Sequence, residues 1–239
     1  MPFVTVNPFL GFRSRTRYAG PPAAPPPVYQ SHGVITQTSS SASSSVAVPA
    51  SLSAGDLIAI QVHAADALFS VSPTLTAPTG WTRIAARGAF NIAHSVDFFY
   101  KIATSNESAL ALSFDRNVYC QAVMVRITGA NAVTAVEASA GAVSPAATTV
   151  TTPTITTLSN NALVFACFAS GHIGSPPTWT APTGYTKEFT DDYTSPPNLL
   201  GWSDKVFASP AATGPLVWSE TPLAAGTASN YGVTFAVRP

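Results

Sequence analysis

The sequence predicts an all-β protein built from two internally repeated antiparallel β-sandwich halves, jelly-roll or Ig-like, behind an extended N-terminal arm. Three observations predict it. Apolar and polar residues alternate with a period of two, turn residues recur every 8–15 positions, and no stretch carries a convincing 3.6-residue period. Antiparallel strands at hairpin spacing close into sandwiches or barrels, because each sheet must bury one apolar face.

The first 30 residues stand apart. They carry Arg13, Arg15 and Arg17 and no acid, a charge of +3, while residues 31–239 hold 8 basic and 11 acidic groups, a charge of −3. Apolar residues come first and basic ones after, the reverse of a secretory signal, so no export signal is read and cytoplasmic folding is expected. Pro2 and Pro8 oppose a continuous targeting helix. If the segment is extended, the three arginines share one face and suit a partner's carboxylates. Phe3, Phe9, Phe12 and Tyr18 are interleaved with them. Large apolar groups on a free tail gain nothing until buried, so residues 1–20 read as an anchor peptide for a protein partner. Residues 21–32 read as a linker. Five prolines fall within positions 21–27, which favours polyproline II, a stiff spacer of roughly 20 Å.

The body contains itself twice. Thr76-Ala77-Pro78-Thr79-Gly80-Trp81-Thr82-Arg83 returns as Thr180-Ala181-Pro182-Thr183-Gly184-Tyr185-Thr186-Lys187. Gly55–Ile60 matches Asn161–Ala166, Lys101-Ile102-Ala103 matches Lys205-Val206-Phe207, and Tyr119–Arg126 matches Tyr231–Arg238. Four landmarks in one order, at offsets of 104 to 112, define repeats over 33–135 and 136–239. In the first, strands are expected around Val46 and Val48, over 57–63, 81–85, 96–102 and 110–114, and over 119–127, six in all. The repeats either form tandem sandwiches or fuse into one pseudo-two-fold unit.

Composition narrows the function. Only 9% of residues are charged, against about 25% in ordinary soluble domains, and 26 Ser with 28 Thr supply the polar surface instead. A net charge of zero opposes a nucleic-acid partner, which calls for a broad basic surface. With no apolar run of about 18 residues, no membrane-spanning helix is read. His32, His63, His94 and His172 are scattered, without the spacing of a zinc site. Cys120 and Cys167 read as free buried thiols in a reducing compartment. Nucleophile elbows and phosphate-cradling loops are lacking. No catalytic residue, metal or cofactor is assigned, and the chain reads as a non-enzyme. Asp191 and Asp192 with Glu188 form the densest acidic group, read as a solvated loop or part of a weak calcium site.

The repeated Trp81/Tyr185 reads either as packing at a hairpin or as a stacking platform for sugars, with Trp179, Tyr193 and Trp202. Tyr185, Trp179, Tyr193 and Trp202 fall in or beside 171–201, which reads as a long loop rich in Pro, aromatic and Asp residues, where recognition commonly sits.

Gly55-Asp56-Leu57-Ile58, then Ala77-Pro78-Thr79-Gly80-Trp81, then Tyr100-Lys101-Ile102-Ala103 and Val125-Arg126-Ile127-Thr128-Gly129 form a series. It resembles β-sandwich modules of structural proteins in tailed-bacteriophage virions and of some bacterial surface proteins. The resemblance covers 33–135 well and the second repeat in part. It implies a virion decoration, spike or fibre role, other virion proteins as partners, homo-oligomers (a trimer by analogy), and no catalytic residues. The missing export signal favours a virion protein made in the host cytoplasm. The alternative is a carbohydrate-binding module for host-surface glycans, through Trp179, Tyr185, Tyr193 and Trp202.

Overall fold

A computed structural model describes residues 23–90, 93–105, 107–144, 148–171, 178–194, 197–221 and 229–239. The anchor residues Phe3, Phe9, Phe12, Arg13, Arg15, Arg17 and Tyr18 lie outside them, as does His172. The described residues form fifteen strands and no helix.

The first half holds β1 (Val28–His32), β2 (Thr36–Val46), β3 (Leu57–Asp66), β4 (Thr82–Arg83), β5 (Gly88–Phe90), β6 (His94–Ile102) and β7 (Leu110–Thr128). They pair in the order β1-β7-β3-β6-β4, with β2 also on β7 and β5 on β6. The two strands expected over 110–127 are one 19-residue strand. Its early residues pair with β2, and its later ones with β3 and β1. One strand thereby serves both layers of the first sandwich.

The second half holds β8 (Val136–Ser144), β9 (Thr149–Thr152), β10 (Ala162–Gly171), β11 (Thr178–Thr180), β12 (Thr186–Thr194), β13 (Pro197–Phe207), β14 (Leu216–Thr221) and β15 (Ser229–Val237). A five-stranded sheet, β12-β13-β10-β15-β8, faces a three-stranded one, β11-β14-β9. Six strands per repeat therefore become seven and eight. The expected loop over 171–201 is largely strand, since Thr, Phe and Tyr in its middle suit a pleated surface.

The repeat reappears as geometry. Leu57 pairs with Ile102 and Ile127, and Leu163 with Val206 and Val237. Trp81 N–H donates to Pro78 O at 3.2 Å and Tyr185 N–H to Pro182 O at 3.0 Å. Between them Gly80 and Gly184 hold φ of +80° and +79°, as this turn requires of its third residue. Lys101 Nζ lies 5.4 Å from the Trp81 ring and Lys205 Nζ 5.8 Å from the Tyr185 ring, the same cation–π contact twice. The last landmark is displaced: Tyr119 pairs with Ala65, but Tyr231 pairs with Ala169 rather than Gly171. A slide of two residues keeps every side chain on its face.

All ten residues of β3 and of β10 are buried, because these strands are covered on both sides. Ile58, Ile60, Val62 and Ala64 join the interior of the first sandwich. Leu57 and Ala59 face the other way, into a cluster that also takes Phe98, Val123 and Val125 from the first half. Phe165, Trp202, Val233 and Phe235 of the second half complete that cluster. The two large sheets thus share one apolar seam, with a smaller layer outside each. Each large side chain buried there contributes about 1.5–3 kcal/mol.

Candidate functional site

The seam carries polar chemistry at two places. At one edge β1 of the first half lies over β12 of the second, with the His32 and Phe189 rings 4.5 Å apart. A cleft of about 390 Å³ opens here, lined by Pro26, Pro27, Tyr29, Glu188, Asp204 and Lys205 among others. The Glu188 carboxyl hydrogen-bonds Asp204. Burial first, then the Asp204 charge and this hydrogen bond, raise Glu188 to about 7. Burial raises Asp204 to about 6 against the hydrogen bond from Glu188. Burial and these two acids also push the Tyr29 phenol upward. Carboxyls in contact hold a proton between them, unlike the acids of glycoside hydrolysis, which stand about 5–10 Å apart.

The acidic group read from the sequence is therefore rearranged. Glu188 turns to Asp204, while Asp191 accepts from Gln121 Nε2 at 3.1 Å and Gln37 Nε2 at 3.5 Å, both of the first half. Glu188, Asp191 and Asp192 lie on the strand β12 and not in a loop, with a register shift between Lys187 and Phe189 at Glu188. The signal that could have found the pair was the repeat itself. Pairing of Thr82 with Tyr100 and of Thr186 with Asp204 puts Tyr100 in the first half where Asp204 stands in the second, while the register shift between Lys187 and Phe189 makes Glu188 an extra residue, with Phe189 across from Trp202 as Ile84 is across from Phe98. The first half therefore has a tyrosine in place of Asp204 and no counterpart of Glu188.

Farther along the seam lie Gln61, His63, His94, Gln121 and Asn198, all buried. Gln61 Nε2 donates to Phe168 O at 2.7 Å, and Trp202 Nε1 donates to Gln61 Oε1 at 2.5 Å. His63 Nε2 and His94 Nδ1 are 3.1 Å apart. Burial lowers both imidazoles, His94 to about 4, and His94 lowers His63 further. The His94 ring sits where a side chain at Gly171 would be, 2.8 Å from a Cβ. Histidines 31 residues apart in sequence carry no sign of this meeting. Cys120 and Cys167 are free and buried in different clusters, and burial pushes the Cys120 thiol up to about 12.

Of the residues offered as sugar contacts, Trp202 is fully buried in the seam and Trp179 is 1% exposed within the second sandwich. Neither presents a ring face, because each fills the space between two layers. Tyr185 is half-buried beside a groove of about 450 Å³ lined also by Thr178, Pro182, Thr183 and Lys187. Tyr193 lies on β12 opposite Asn198.

Among the described residues no three His, Cys, Asp or Glu side chains gather as metal ligands, and no helix is long and apolar enough to cross a membrane. No protein-family model, curated protein or solved structure matches this chain.

Proposed function

We propose that this chain is a non-enzymatic structural component of a tailed-phage particle, a decoration, spike or fibre protein, attached through residues 1–20. One observation supports it most: the root of the arm is fastened to the body. Asn161 Nδ2 donates to Ala24 O at 2.8 Å, β1 pairs along β7, and Gly33 N–H donates to Met124 O at 2.8 Å. A pull on the arm would load a β-ladder that is backed by the shared seam. Deleting residues 1–20 should leave the melting temperature unchanged and abolish co-sedimentation with particles. Normal incorporation of the truncated chain would remove the proposal.

A second reading, recognition of host-surface glycans, is favoured by the groove beside Tyr185 and Lys187. Alanine at Tyr185 tests it on a glycan array.

A further inference from the structure

The loop that leaves β3 turns hydrocarbon toward water. Leu68 is 84% exposed, Phe69 47% and Val71 51%, three large apolar side chains within four residues. The backbone holds them there at a cost. Phe69 has a φ of +52°, a left-handed value that aromatic residues rarely adopt. Such strain persists only where the surroundings over-determine it.

Asp66 supplies that determination. Its Oδ2 accepts from Ser70 N at 2.8 Å, Ser70 Oγ at 2.7 Å and Val71 N at 3.2 Å. The same carboxylate takes the Leu68 N–H. Phe69 N–H donates to Asp66 O at 3.0 Å and Ala67 N–H to Asn117 O at 3.1 Å. Every amide N–H from Ala67 to Val71 is therefore paired inside the chain. The Phe69 ring stacks over Tyr119, with centroids 6.1 Å apart.

We propose that Leu68, Phe69 and Val71 form a tip that enters the surface of a lipid bilayer. Protein partners are met with about one hydrogen bond per 100–200 Å², and this backbone has no N–H left to give. Hydrocarbon makes the opposite demand, apolar side chains on a backbone whose donors are already paired. A second copy is a poor cover, since the three side chains offer on the order of 300 Å² against about 800 Å² per partner in a stable dimer. Charge beside the tip is matched within the chain, Arg116 by Asp115 at 3.1 Å, so a zwitterionic lipid suffices. Surface contact of this kind needs no spanning helix.

Position fits the assignment. Ile127 pairs with both Tyr29 of β1 and Leu57 at the start of β3, while Asp66 ends β3. The tip thus stands roughly 30 Å along β3 from the root of the arm. Both ends can be engaged at once, and the proposal does not depend on what the arm binds.

The test floats the full chain with phosphatidylcholine vesicles. The chain should rise with them and stay bound in about 0.5 M NaCl, where attraction between exposed charges is screened. Leu68→Ser and Phe69→Gly should each weaken binding about tenfold, as loss of one buried apolar side chain does. Leu68 already faces water, so Leu68→Ser should melt as wild type does, and the outcome does not depend on Phe69→Gly folding. Failure of the wild-type chain to float overturns the proposal. So does flotation that survives both changes, which assigns the contact to another part of the chain. Binding only to phosphatidylglycerol vesicles and only at low salt overturns it in favour of charge attraction. A lipid-free dimer that Leu68→Ser dissociates overturns it in favour of a second copy.

Discussion

Trp202 Nε1 donates to Gln61 Oε1 at 2.5 Å across the seam between the two halves, and Gln61 Nε2 donates to Phe168 O at 2.7 Å. Both side chains are fully buried. One glutamine of the first half therefore satisfies a side chain on β13 and a backbone carbonyl on β10. This is why Trp202 belongs to the core and offers no platform to a sugar.

Gln61→Leu keeps the volume but leaves the Trp202 N–H buried and unpaired. It should destabilise the chain by about 2–3 kcal/mol, read as a lower urea midpoint. Both halves should still unfold in one transition, because the seam is common to them. Two separate transitions would contradict a shared core.

The Glu188–Asp204 pair sets a pH dependence. Burial raises Glu188 from 4.5 to about 7, helped by Asp204, and raises Asp204 from 3.8 to about 6. The folded chain then keeps protons that the unfolded chain has already released. The stability of the neutral pair is present below about pH 4 and is lost as pH rises to about 7. Glu188→Gln removes most of that loss. Its melting temperature should exceed the wild-type value near pH 8, with the gap closing toward about pH 4. Thermal melts across this range decide it, and a gap that does not vary with pH would refute it.

His63 and His94 act in the opposite sense. Burial holds both below 6.5, His94 at about 4. Once unfolded they take up protons that the folded seam refuses, so their contribution is whole above about pH 6.5 and is lost toward about pH 4. His94→Gln should make the acid limb shallower by about 1 kcal/mol per pH unit, measured by urea unfolding. An unchanged slope would refute it. Because the carboxyl pair opposes this trend over the same range, each variant is compared with wild type at every pH.

Several features were legible because they are local. Pro78-Thr79-Gly80 and Pro182-Thr183-Gly184 announce their turns, since only glycine adopts the required φ at no cost. The alternation of Val96, Phe98 and Tyr100 with Asp97 and Phe99 announces β6. Matching Trp81 with Tyr185 and Lys101 with Lys205 pointed to a structural pair that proved to be one contact made twice. The histidine pair and the carboxyl pair were not legible, because each joins separate strands whose register is set by packing. An aromatic-rich stretch such as 178–202 misleads where Trp179, Phe189 and Trp202 turn inward, since the same residue types build both cores and sugar platforms.

The amino-acid sequence by itself determined an all-β chain, its two-fold repetition, the places of its turns and which side of most strands is apolar. Only the tertiary structure decided what each apolar side meets. It laid Leu57 and Ala59 against Phe165 and Trp202 across the seam, and Ile58 and Ile60 against their own half. Hydrophobic burial is non-directional and asks only that a face be covered. The choice of cover falls to shape and to hydrogen bonds such as the one between Gln61 and Trp202, which exist only once the two sheets have met.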